Sequence, residues 1–324
     1  MMTHALARIE DLIRDPRMPH NMVGTYLKTR KLARLMEAKP SQRELYVALT
    51  FDVEREYGSR RVGGDSTSVS QFLSSLEDLP SRTTIFIEGC LVEENSRVLR
   101  SLQIRGFEIG LHGYRHELWG PAQWYLKDEP ISAREKGALL EKCKRVFQHS
   151  GLKLPVSFRA PNLVSDRQTM RLLAEYGFHV DSSLASHKGV LPVVHSGECE
   201  GLVRIPVSAD SQPQFSREFL IPHFTFRVCN LKALAKMTSQ EYVKFASSIA
   251  SIQEGFGFHP HLVALAHSWE FFQPINEWRE YEYCSPRNFE VLRNFLDALS
   301  HNFDVRQMSI SDLAGELTHP LGKI

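Results

Sequence analysis

No apolar run in this 324-residue chain approaches the length of a transmembrane helix, and none at the N-terminus has the form of a signal peptide. Glu10, Asp11 and Asp15 interrupt the first stretch, where an export signal needs a continuous apolar core and a small-residue cleavage site. Cysteine is sparse: Cys90, Cys143, Cys199, Cys229 and Cys284 are scattered with no C-x-x-C pair, which excludes a zinc knuckle and a disulfide framework. An odd cysteine count suits a reducing compartment, and together these absences predict a cytoplasmic protein. A formal charge of +1 leaves no electrostatic footprint for nucleic acid, so none is expected as a partner. What is present, 42% apolar and 24% charged residues, is the composition of an ordinary globular chain with a full-sized core.

Two textures divide the chain. Residues 1–44 read as a helical appendage, with Leu6, Ile9, Leu12 and Ile13 at helical spacing and a basic stretch from Lys28 to Arg34. That stretch could make a weak contact with a membrane surface or an acidic partner, although a solvated helix face packed on its own domain is the simpler reading. From residue 45 to 324, short apolar runs alternate with helical segments. Strands are predicted at Leu45 to Phe51, Arg82 to Ile87, Phe107 to Leu111, Val156 to Arg159, Phe178 to Asp181, Leu262 to Ala266 and Phe303 to Gln307. Helices are predicted at Glu93 to Ile104, Ser132 to Gln148, Asp166 to Tyr176 and Pro286 to Ser300. Such alternation implies right-handed βαβ units, hence a parallel sheet or barrel whose chemistry sits at the C-terminal strand ends. Glu198 to Phe226, with Pro206, Pro213 and Pro222, reads as an insertion over the site.

Polar residues of the right kinds fall at those strand ends. The first strand closes Asp52-Val53-Glu54, and strand alternation aims both carboxylates to one side. The third is followed by His112-Gly113-Tyr114-Arg115-His116, and an H-x-x-x-H spacing on a helical turn would put two imidazoles on one face. One acid with two histidines makes a facial metal set with positions left open for water and substrate. Neither piece is specific alone, since strand-end acids are often caps and histidine pairs arise by chance; their conjunction carries the signal.

Two further strand ends, Phe158-Arg159-Ala160-Pro161 and Leu265-Ala266-His267-Ser268-Trp269-Glu270, complete an ordered series. In that order the residues resemble the polysaccharide deacetylases with the NodB-homology domain, carbohydrate esterase family four, across roughly residues 45–313. The resemblance implies a distorted (β/α) barrel of about seven parallel strands and a metal-dependent N-deacetylase. It implies Asp52 as general base and Glu54, His112 and His116 as ligands of one divalent ion, most simply Zn2+. The first motif is similar to a variant branch with its second acid moved by one place, and Gly113 stands where the family usually has a hydroxyl. Arg159 corresponds to the arginine that steadies the catalytic aspartate, Asp181 to the acid that tunes the catalytic histidine, and His267 to the general acid. Pro161, Asn162 and Trp269 are implied on the substrate side, with Asn162 and Leu163 replacing the aromatic and glycine that often follow the proline.

Each residue also has a plainer reading: Arg159 a structural ion pair, Asp181 a cap, Trp269 core, His267 a satisfied buried histidine. His259 and His261, flanking Pro260, read as loop residues. The expected activity is removal of an N-acetyl group from an amino sugar in a glycan or glycan precursor. A cyclic-amide hydrolase of the allantoinase-like branch and a non-catalytic carbohydrate-binding relative are the alternatives.

Overall fold

A computed structural model describes residues 43–55, 66–76, 79–122, 128–184, 193–216, 223–272 and 282–318. The expected N-terminal appendage lies outside the described residues. Strand β1, Glu44–Val53, is the centre of the fold and is buried from Leu45 onward. A strand buried on both faces reads as an unbroken apolar run, and Leu45 to Phe51 is one.

Around β1 the sheet runs β10-β1-β2-β3-β4-β5-β7, every neighbouring pair parallel, with β2 at Thr84–Ile87, β3 at Glu108–Leu111, β4 at Ser157–Phe158, β5 at Val180–Asp181, β7 at Leu202–Arg204 and β10 at His261–His267. Six of these strands fall where expected; the seventh, β7, was not anticipated, and the expected strand at Phe303 to Gln307 is a further parallel strand beside β1. The short strand β6, His195–Cys199, adds antiparallel to β7. Strand β11, Asp304–Gln307, pairs with Glu44 to Val47, while β2 pairs with Thr50 to Val53, so successive halves of β1 serve different partners. After β7 the chain reaches the far edge of β10: the Ser208 N–H donates to the Val263 carbonyl at 3.1 Å, and the Leu265 N–H donates to the Cys229 carbonyl at 2.8 Å. The sheet is thereby curled towards closure. A hairpin of β8, Ala209–Ser216, and β9, His223–Val228, stands apart as a second sheet.

Alternation along β1 sorts two cores. Odd-numbered Leu45, Val47, Leu49, Phe51 and Val53 pack outward beneath the helices, where Phe51 meets Phe72 at 5.5 Å and Phe271 at 5.7 Å between ring centroids. Even-numbered Tyr46 and Ala48 face the interior with Phe86, Val180, Ile205 and Val263. Helix Ile310–Thr318 contributes Ile310, Leu313, Ala314 and Leu317 to that interior cluster, filling it from the N-terminal side of the strands. The next even residues on β1, Thr50, Asp52 and Glu54, therefore rise through a packed floor to the C-terminal mouth.

The remaining helices follow from their ends and stripes. Ala133–His149 starts at a capping box in which the Ser132 hydroxyl accepts from the Glu135 N–H and the Glu135 carboxylate accepts from the Ser132 N–H. Arg167–Glu175 is capped by Asp166, whose carboxylate accepts from the Thr169 N–H at 2.7 Å. Ser96–Ile104 and Asn288–Ser300 fall where expected. Ser66–Ser75, Leu231–Leu234, Ser239–Gly255 and Ile310–Thr318 were not anticipated. Ser239–Gly255 buries Tyr242, Phe245, Ala246 and Ile249, but interleaved serine and alanine blur the contrast between its faces. The expected insertion at Glu198 to Phe226 is corrected in part, because Leu202–Arg204 is a strand of the barrel.

Candidate active site

Asp52 and Glu54 do share one side of β1, both buried, at 3% and 5% exposure. Asp52 lies opposite His267 in the β1–β10 register and opposite Phe86 in the β1–β2 register. Its Oδ1 accepts from Arg159 Nη1 at 2.8 Å. Arg159 is fully buried: Nη1 also donates to the Thr50 hydroxyl at 2.8 Å, Nη2 to the Ser182 hydroxyl at 2.9 Å and Nε to the Ser182 carbonyl at 3.3 Å. Its plane covers the Phe86 ring at 4.3 Å. Burial lowers the guanidinium pKa and Asp52 opposes that shift; arginine stays charged regardless.

The histidine pair sits on a loop, not on the helical turn expected from its spacing. Gly113 has φ +69° and His116 φ +64°, left-handed values that no helix contains. The Glu117 carboxylate braces this loop, accepting from the Tyr114 N–H at 2.9 Å and the Arg115 N–H at 2.8 Å. A side chain at 113 is excluded, because a Cβ there would meet Trp119 Nε1 at 2.9 Å.

Both imidazoles converge on Glu54. Its Oε1 lies 3.2 Å from His112 Nε2 and 3.3 Å from His116 Nε2, while its Oε2 accepts from the Trp269 indole N–H at 3.0 Å. Burial opposes ionisation of Glu54, but His116 and His112 hold its carboxyl well below the usual range. Burial likewise opposes protonation of His116, and Glu54 outweighs it. His112 Nδ1 is 2.9 Å from the Arg159 carbonyl, an acceptor only, so Nδ1 is the donor there and Nε2 is the ring atom turned towards Glu54.

This donor set fits a divalent cation. Ligand atoms about 2.0–2.1 Å from a tetrahedral ion stand roughly 3.3 Å apart, the spacing seen at Glu54. A lone pair and a carboxylate facing each other in a buried site repel unless a cation or a proton lies between them. Among the described residues Asp52, Glu54 and His267 form a second convergent group around the same carboxylates.

His267 ends β10, and its ring stacks on Trp269 at 4.9 Å with 23° between planes. The resemblance assigns Asp181 to this histidine, and the structure shows Asp181 engaged elsewhere. Asp181 is the register partner of Arg204 on β7 and accepts from Arg204 Nε at 2.9 Å, from the Ser183 N–H at 3.0 Å and from the Ser183 hydroxyl. The carboxylate beside His267 is Glu270, with Oε2 3.4 Å from Nδ1, an ion-pair contact rather than an aligned hydrogen bond. Burial works to lower the imidazole pKa; Glu270, Glu54 and Asp52 override it and push it up to about 9.

These groups line an open cleft of 280 Å³ with Asn162, Leu163, Asn230, Lys232, Leu265 and Tyr283. Trp269 lines it too, its N–H committed to Glu54. Pro161 does not: it is buried beneath the histidine loop, close to Gly113. Asn162 and Leu163 have φ +58° and +54°, so with His116 every non-glycine left-handed residue among the described residues lies at this mouth. Such backbone costs on the order of 1–3 kcal/mol per residue and gathers at functional sites. Glu88, ending β2, is a further buried acid that sequence reasoning passed over; burial and the charge of Glu54 push it up to about 7.

Residues 39–180 match the family model described as polysaccharide deacetylase. A peptidoglycan deacetylase-like protein, FGM2 of Gibberella zeae, is 31% identical over 119 residues, covering 37% of this chain and 32% of that protein. The chain thus spans about a third of the length of the curated relative it matches. A candidate polysaccharide deacetylase from Mycobacterium smegmatis superposes with a TM-score of 0.56 at 22% identity over 87% of this chain and 92% of its own. The 4-alpha-glucanotransferase from Thermococcus litoralis gives 0.54 at 18% identity over 86% of this chain and 41% of its own. These two share the fold.

Proposed function

Because this chain carries a domain of the polysaccharide deacetylase family, we propose that it is a metal-dependent hydrolase that removes an N-acetyl group from an amino sugar in a glycan or glycan precursor. The observation that carries the reading is the spacing at Glu54 Oε1, 3.2 and 3.3 Å from two imidazole nitrogens. Glu54, His112 and His116 would hold the ion, and the two-histidine, one-carboxylate set suits zinc. When bound, such an ion supplies Lewis acidity, polarising an amide carbonyl and acidifying water.

The chain's own groups divide the proton work. Asp52 Oδ1 is committed to Arg159, and Oδ2, 4.0 Å from His112 Nε2, faces the metal ligands, placed to take the proton of an attacking water. Arg159 fixes the Asp52 carboxylate by its hydrogen bond to Oδ1, leaving Oδ2 turned to the cleft. On the neighbouring strand His267 gives a proton to the departing nitrogen. Asn162 lines the cleft from the opposite loop, where its backbone N–H could meet the developing oxyanion.

The test is acetate release from N-acetylated sugars and from lipid- or nucleotide-linked glycans, using metal-stripped protein restored with zinc. Asp52→Asn should lose on the order of 10²- to 10⁴-fold in turnover while still binding zinc, and His112→Ala should lose both. Zinc binding without acetate from any substrate would favour the cyclic-amide hydrolase, and failure to bind a divalent ion would end the proposed mechanism.

A further inference from the structure

Ser268 to Phe271 turn sharply after β10, and the turn folds Glu270 back onto the residue three before it. Glu270 is 2% exposed. Its Oε2 accepts from the His267 backbone N–H at 2.7 Å and stands 3.4 Å from His267 Nδ1. Its Oε1 accepts from the Tyr283 hydroxyl at 2.6 Å. The backbone is tied as firmly: the Glu270 carbonyl accepts from Asn288 Nδ2 at 2.7 Å and from the Ser285 N–H at 3.1 Å. The carboxylate is thus held from two directions by partners that leave it no freedom to swing away.

An imidazole can deliver a proton from one nitrogen only if the other is fixed by a partner, which sets both tautomer and ring angle. Asp181, committed to Arg204 and Ser183, has no access to that task. Resting contacts of catalytic pairs are often longer than hydrogen bonds and tighten with substrate bound, so 3.4 Å suits a poised pair. With Trp269 stacked on the ring face, His267 has a fixed plane as well as a fixed edge.

We infer that Glu270, clamped by Tyr283, is the positioning residue that holds the Nδ1–H of His267 so that Nε2 faces the cleft. The inference rests on reading His267 as the proton donor of the deacetylation proposed above. On this reading the orienting acid sits on the turn that carries the histidine itself, while Asp181 on β5 braces Arg204.

Histidine-selective 15N NMR of the zinc-loaded full chain, with His267→Ala for assignment, separates the two layers. The expected result is a hydrogen-bonded Nδ1–H signal from His267, weakened in Glu270→Gln and Tyr283→Phe and absent in Glu270→Ala. In acetate release, Glu270→Gln should lower kcat by roughly 10- to 100-fold, part of what a general acid contributes, with KM within about twofold. Tyr283→Phe should move kcat the same way by less, and unchanged melting temperatures would exclude misfolding. A His267 whose Nδ1 carries no proton in the wild type, or an Nδ1–H indifferent to Glu270, overturns the inference while leaving the deacetylase reading intact. If His267→Ala releases acetate at the wild-type rate while Nδ1–H still depends on Glu270, the positioning stands and the proton-donor reading falls.

Discussion

Asp52 and His267 face each other as register partners on adjacent parallel strands, so the base and acid of the proposed reaction are fixed by one ladder of backbone hydrogen bonds. Such a ladder sets the separation of the two groups before any ligand arrives. Catalytic groups held on strands are placed more tightly than groups held on loops.

Arg159 anchors that arrangement from below. Arg159→Met removes four side-chain hydrogen bonds and leaves Asp52 as a buried, unpaired carboxylate. Breaking a buried pair in this way should cost about 3–5 kcal/mol in urea unfolding, together with loss of activity. Arg159→Lys keeps a charge but not the planar fork, and should recover only part of the stability.

Trp269 links the metal ligands to the acid, donating to Glu54 while stacking on His267. Trp269→Phe keeps a ring for the stack and deletes the donor. Zinc affinity in a chelator competition should fall by roughly 10- to 100-fold, the usual effect of removing a hydrogen bond to a ligating side chain.

Gly113 holds the histidine loop in a left-handed turn that brings a Cβ within 2.9 Å of Trp119. Gly113→Ala adds both backbone strain and that clash, so a loss of at least about 1 kcal/mol is expected. Because the residue adjoins His112, zinc affinity should drop along with the melting temperature. Equal zinc affinity in the variant would mean that the loop can relax without moving the histidines.

His261, at the start of β10, is 1% exposed and far from this chemistry. Burial pulls its pKa from 6.5 down to about 4, against the His259 carbonyl that favours the protonated ring. Between those values the unfolded chain binds a proton that the folded one refuses, so stability falls as pH drops from 6.5 towards 4. The contribution is about 3 kcal/mol across that window. His261→Leu should flatten this part of the stability-against-pH curve, measured by urea unfolding at several pH values; an unchanged slope would assign the acid sensitivity elsewhere.

The chain's own order of residues determined the strand-helix alternation, the burial of β1 and the gathering of Asp52, Glu54, His112 and His116 at one mouth. Period-two alternation and apolar runs are local properties, and the C-terminal strand ends of a parallel barrel necessarily meet. Glu270 was visible three residues after His267, yet its contact depends on a turn that no periodicity announces. The histidine pair was legible by type and spacing but not by backbone, because Gly113 and His116 take left-handed values in a loop that the Glu117 carboxylate holds. Tertiary structure alone decided which acid serves which base. Asp181 and Glu270 carry the same charge and each adjoins a plausible partner in sequence, but strand order places Arg204 beside one and the turn places His267 beside the other. A carboxylate's role follows from the cation or donor that packing brings to it, and such neighbours are set by contacts between residues distant along the chain.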